Sequence, residues 1–63
     1  MQCLIIEAHR EGYTPKQVSS TMTVGELIEF LEGYFEDTPV YLSHDNGYTF
    51  GGLCDDDFGI DEV

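Results

Sequence analysis

The clearest pattern of apolar and polar positions runs from Val24 to Phe35. Val24, Leu27, Ile28, Leu31, Tyr34 and Phe35 recur at spacings of three and four, the repeat that lines one stripe of an α-helix. Thr23 with Glu26 three residues later forms a capping-box sequence, in which hydroxyl and carboxylate each satisfy a backbone donor of the first turn. Met22 and Leu27 are spaced for the accompanying hydrophobic staple. The spacing predicts a helix over 24–35 whose apolar stripe faces a sheet. Its outer face carries Glu26, Glu29, Glu32 and Glu36, the last unfavourably close to the negative end of the helix dipole.

On either side the pattern changes to that of strands. Residues 2–9 hold the run Cys3-Leu4-Ile5-Ile6, apolar on both faces, which predicts a central or well-covered strand. Gly12, Pro15 and the Ser19-Ser20-Thr21 cluster then break the pattern, and residues 10–20 read either as one helical turn opened by Thr14-Pro15 or as an irregular loop. Pro39 ends the helix segment, because it cannot continue a helix and biases its predecessor to extended geometry. A strand follows over 40–44, then Asn46-Gly47, which tolerates the positive φ of a type I′ hairpin turn, then a return strand over 48–53.

A two-residue loop pairs Asp45 with Tyr48, Ser43 with Phe50 and Val40 with Leu53. That register puts Val40, Leu42, Thr49 and Leu53 on one face, and Tyr41, Ser43, Asp45, Tyr48 and Phe50 on the other. If the helix covers the first face, Tyr41, Tyr48 and Phe50 are left as an aromatic cluster of the kind used for partners or self-association. The fold class is therefore α+β, a β-α-β-β chain with one helix packed on a three-stranded, mostly antiparallel sheet. Residues 1–54 form the domain and residues 55–63 a flexible acidic tail, since the five acids among its nine positions repel one another.

Composition narrows the function more than it changes the fold. Sixty-three residues suffice for one modest core, and 41% hydrophobic content with four Tyr and four Phe supplies material for a packed interior. Thirteen Asp and Glu against Arg10 and Lys16 give a formal net charge of -11. Such a field repels nucleic acid and anionic membranes and speeds encounter with basic proteins. No basic, apolar and small-residue succession marks a secretory signal, and no apolar run reaches membrane-spanning length, so a cytoplasmic protein with reduced Cys3 and Cys54 is expected.

Candidate chemistry is sparse. There is no phosphate-binding Gly-rich loop and no His-Glu-x-x-His pattern, and His44-Asp45 reads as ordinary strand-end and turn chemistry, so no catalytic residue and no enzymatic activity are expected. Cys3, His9, His44 and Cys54 are the right types for zinc at the wrong spacing. Asp55, Asp57, Asp61 and Glu62 around Gly59 lack the spacing of an EF-hand loop and support only weak divalent-cation binding by the tail. No cofactor or metal site follows. The remaining chemistry is electrostatic. Glu29, Glu32 and Glu36 stand about 4.5 to 6 Å apart along a helix, and with Asp55, Asp56 and Asp57 they could imitate a phosphate backbone before a basic groove.

The segments Met22-Thr23-Val24-Gly25-Glu26-Leu27-Ile28, Asp37-Thr38-Pro39-Val40 and Asp45-Asn46-Gly47-Tyr48 resemble small acidic proteins of phages and prophages of gram-positive bacteria. The resemblance covers the middle and C-terminal half of the chain. It implies a mobile-element origin and a non-enzymatic accessory role, the setting in which anti-CRISPR and other anti-defence inhibitors occur.

The expected function is thus an inhibitor that binds a basic host protein, itself a nucleic-acid-binding one, through Glu29, Glu32, Glu36, Tyr41, Tyr48, Phe50, Asp55, Asp56 and Asp57. It would touch neither nucleic acid nor membrane directly. The alternative is a structural module in which the aromatic sheet face joins two copies into a homodimer.

Overall fold

A computed structural model describes residues 2–62; residues 1 and 63, the outer ends of the expected domain and tail, lie outside the described residues. The chain forms three strands, β1 (Leu4–Glu7), β2 (Val40–His44) and β3 (Thr49–Gly52), and one helix, α1 (Val24–Leu31), with 3₁₀ turns at Pro15–Gln17 and Asp55–Asp57. This is the α+β class read from the sequence, in the element order β-α-β-β.

The sheet order is β1-β2-β3. β1 runs parallel to β2 with Leu4 opposite Val40 and Glu7 opposite Ser43, and the ladder is prolonged by Leu4 N–H to Pro39 O and Ala8 N–H to Ser43 O, both 2.9 Å. β2 and β3 are antiparallel, with Ser43 opposite Phe50 as the alternation required. The sheet is thus evenly mixed rather than mostly antiparallel. The first strand lies at an edge, not at the centre. Both differences have one cause: the long connection carrying α1 returns the chain beside β1 in the same direction, while the tight hairpin claims the other side of β2.

α1 begins as its sequence dictates. Thr23 Oγ accepts from Glu26 N–H at 3.1 Å, and Glu26 Oε1 accepts from Thr23 N–H at 2.9 Å, completing the capping box. It ends four residues earlier than its apolar repeat suggests. Gly33 is a poor helix former, and the backbone around it tightens, with Gly33 N–H bonding to Phe30 O and Tyr34 N–H to Leu31 O. Glu36 therefore stands beyond the helix, and Phe35 leaves the stripe, 85% exposed.

The hairpin turn is wider than the two-residue loop expected. Asn46 and Gly47 have the positive φ of a type I′ turn, but Asp45 also lies at φ 54°, and Tyr48 N–H bonds to His44 O at 3.0 Å more closely than to Asp45 O at 3.3 Å. Residues 45–48 form the loop and pairing starts at Thr49. In the 10–20 segment the helical-turn alternative is realised at Pro15–Gln17, with proline at its start. Glu11 Oε2 accepts from both Ser19 N–H and Ser19 Oγ, closing that loop on itself.

Strand register divides the sheet into two faces. Leu4, Ile6, Val40, Leu42 and Gly51 share one, and Ile5, Glu7, Tyr41, Ser43, Phe50 and Gly52 share the other. α1 approaches the first face at one end, where Leu31 and Tyr34 border the same recess as Leu4 and Val40. No α1 Cα lies within 8 Å of a strand Cα. The packed interior expected from composition is not present: among the described residues no hydrophobic side chain is buried, and the one buried residue is Ser43. The helix stripe and the sheet each offer an apolar surface, and the fold brings them together along one margin only.

Candidate functional site

The acidic residues fall into two sets. Glu26 is turned back into the helix cap, Glu11 holds Ser19, and Asp57 accepts from Cys54 N–H at 2.9 Å, so these carboxylates bind their own chain. Glu29 is exposed on α1, and Glu32 is its exposed C-terminal cap residue in αR geometry. Glu36 is exposed after the helix has ended. A row of three carboxylates along one helix is consequently reduced to Glu29 and Glu32, about 4.5 Å apart along the axis, with Glu36 displaced onto the following turn. Asp55 and Asp56 are exposed on the 3₁₀ turn that opens the acidic C-terminal segment.

Of the aromatic residues, the structure places Tyr41 and Phe50 on one sheet face, Tyr41 opposite Gly52 and Phe50 opposite Ser43. Tyr48 belongs to the turn and is 84% exposed. The close ring pair lies elsewhere, between Phe30 and Tyr34, with centroids 5.5 Å apart and planes tilted by 52°. The acids and aromatics singled out from the sequence thus occupy three regions: the outer side of α1 with the turn after it, the second face of the sheet, and the 55–57 turn.

One polar cluster was not singled out by sequence reasoning. Glu7, at the end of β1, stands in register with Ser43 and also receives Asn46 N–H at 3.1 Å. The Ser43 hydroxyl donates to its carboxylate, and this bond, followed by the Asn46 N–H, holds the Glu7 pKa below the ordinary glutamate value; nearby His44 and His9 act in the same direction. Ser43 is only 2% exposed, so its hydroxyl can be satisfied only from within, and Glu7 satisfies it. The residue types alone carry no signal for this cluster, because it depends on parallel pairing between segments 36 positions apart.

Just beyond, an open recess of about 600 Å³ is lined by Ala8, His9, Arg10, His44, Asp45 and Asn46. Three of the chain's four Lys, Arg and His side chains gather there. Asp45 and Asn46, both at positive φ, belong to this lining, and the Asn46 N–H is already taken by Glu7. The cluster therefore reads as a brace between turn and edge strand.

Cys3 and Cys54 are free and exposed. Among the described residues no group of three or more His, Cys, Asp or Glu side chains is placed to hold a metal ion, and no helix is long and apolar enough to cross a membrane. Comparison of the chain with protein-family models, with curated proteins and with solved structures finds no match.

Proposed function

We propose that this chain is a non-enzymatic accessory protein of the bacterial cytoplasm, encoded by a phage or prophage, that binds a basic protein surface. Its target would be a host protein that itself binds nucleic acid, and the chain would act as an inhibitor by mimicking the phosphate backbone, in the manner of anti-CRISPR and related anti-defence proteins. The observation that carries this reading is the excess of exposed, uncommitted carboxylates. Glu29, Glu32, Glu36, Asp55 and Asp56 all face solvent, in a chain with net charge -11 whose arginine sits with the imidazoles at the far end of the sheet.

Such a surface raises the rate of encounter with a cationic groove and weakens as salt screens it. The shortened helix alters the detail of the mimicry. Glu29 and Glu32 supply two regularly spaced charges, and Glu36 with the 55–57 turn extends the field without continuing the row.

Affinity capture from a lysate of the bacterial host, with the intact chain and with a Glu29→Lys, Glu32→Lys, Glu36→Lys variant as baits, tests the proposal. The intact bait should retain a basic nucleic-acid-binding protein that is released as salt rises and that the variant does not hold. Equal recovery by both baits, or no partner on either, would remove the acidic surface as a binding site.

A further inference from the structure

The two edges of the sheet are unlike. β1 ends on the charged Glu7 and runs on into His9, Arg10 and Glu11, whereas no residue from Asn46 to Cys54, which spans β3 and its flanks, is charged. Sheet edges are ordinarily blunted by a charge, a proline or a bulge, because their free backbone groups pair with any strand that arrives. β3 has none of the three, and its register with β2 runs unbroken from Gly52 opposite Tyr41 to Thr49 opposite His44.

The ladder fixes which backbone groups β3 leaves free. Leu4 N–H bonds to Pro39 O and Ala8 N–H to Ser43 O, so Pro39, Tyr41 and Ser43 turn towards β1 and the alternate residues Leu42 and His44 towards β3. Their partners Gly51 and Thr49 therefore turn inward, and Phe50 and Gly52 direct N–H and C=O away from the sheet. The chain closes this stretch at both ends, since Tyr48 N–H is taken by His44 O and Cys54 N–H by Asp57 Oδ2. Space is open on both sheet faces. Gly51 and Gly52 fall on opposite faces, and a Cβ added at either meets no described atom within 4 Å. Glycine inside an unbulged strand is a frequent sign that another backbone approaches closely.

We propose that the outer edge of β3 is a docking site, and that its occupant is an extended segment of a basic protein, added as a fourth strand with Lys or Arg beside Asp55 and Asp56. Charge selects this occupant. Asp55 and Asp56 stand exposed directly after the neutral stretch, while His9 and Arg10 follow β1 at the opposite edge. A second copy fits poorly, because antiparallel self-pairing centred on Gly51 sets Asp57 opposite Asp45 and joins two chains of charge -11. For the charge of its occupant this docking rests on the basic partner proposed above, but the edge is a surface apart from Glu29, Glu32 and Glu36.

Titration of the full chain with a synthetic peptide of alternating Thr and Val flanked by lysines, followed by NMR at moderate salt, tests it. The amide protons of Phe50 and Gly52 should shift downfield and exchange more slowly. Methylating every core amide nitrogen of the peptide should weaken binding roughly tenfold or more, whereas methylating alternate ones, which leaves one pairing edge free, should preserve it. Glutamates in place of the lysines should likewise weaken it roughly tenfold or more. The Glu29→Lys, Glu32→Lys, Glu36→Lys chain should bind the peptide within about twofold of wild type once salt screens the long-range field, so loss of a captured host protein and loss of the edge are read separately. No shift at Phe50 and Gly52, equal binding of the fully methylated peptide, or shifts confined to α1 would each overturn the proposal. Slowed exchange of these two amides on concentrating the chain alone would assign the edge to a second copy and overturn it as well.

Discussion

The backbone N–H of Asn46 donates to Glu7 Oε2 at 3.1 Å across 39 positions of sequence, tying the tip of the hairpin to the edge strand β1. With the Ser43 hydroxyl on the same carboxylate, this bond makes Glu7 the one strand acid with an internal task, in a chain where most acids face outward.

Stability should depend on the charge of Glu7 in a definite direction. Its folded pKa is lowered, so its contribution is present above the ordinary glutamate value and is lost as pH falls through the folded one. Neutralisation of the other acids relieves repulsion over the same range, so the comparison must be between wild type and Glu7→Gln. The difference in Tm should be largest at neutral pH and close towards zero in acid. A gap that widens as pH falls would show that the ionised carboxylate is not the stabilising form.

The hairpin turn holds a non-glycine residue, Asp45, at φ 54° before Asn46 at φ 57° and Gly47 at φ 89°. A β-branched side chain is strongly disfavoured there, and glycine is not. Asp45→Val should cost about 1–2 kcal/mol, and Asp45→Gly should be neutral or stabilising in urea unfolding. The reverse order would mean that Asp45 is not left-handed in solution.

Thr23→Ala removes the acceptor for Glu26 N–H and frees the Glu26 carboxylate. The expected loss is about 1 kcal/mol, or a Tm decrease of about 4–8 °C for a domain of this size. Helicity by circular dichroism should fall with it, and an unchanged Tm would place α1 outside the cooperative unit.

Gly52 lies on the exposed edge strand opposite Tyr41, and a Cβ added there meets nothing within 4 Å. Gly52→Thr should raise stability by about 0.5–1 kcal/mol through the lower entropy of the unfolded chain and better strand propensity. Urea unfolding reads the gain, and an unchanged or lower midpoint would mean that the added side chain does not fit the strand.

The sequence was legible where local chemistry decides the structure. Thr23 and Glu26 locate the helix start, Asn46-Gly47 locates the turn, and alternation alone puts Ser43 opposite Phe50. It was less legible where a competing local effect or a distant partner decides. Gly33 ends α1 although Tyr34 and Phe35 prolong the apolar repeat, and this moves Glu36 out of the helix row. Leu4 to Ile6, apolar on both faces, reads as a central strand, yet the crossover and hairpin leave it at an edge. Glu7 could not be assigned a role before the parallel register with Ser43 was known. Apolar content likewise gives no warning that the helix stripe and sheet meet along one margin only.

The most direct test of the phosphate-mimic claim is competition. The protein captured by the wild-type chain is held in complex with it, and short duplex DNA is added at constant salt while the fraction of chain bound is followed by fluorescence anisotropy. The account predicts that DNA releases the chain, that more chain restores it, and that the chain with Glu29, Glu32 and Glu36 reversed does not compete. Retention of the chain alongside bound DNA, with no displacement in either direction, would contradict the claim and leave the acidic surface outside the nucleic-acid groove.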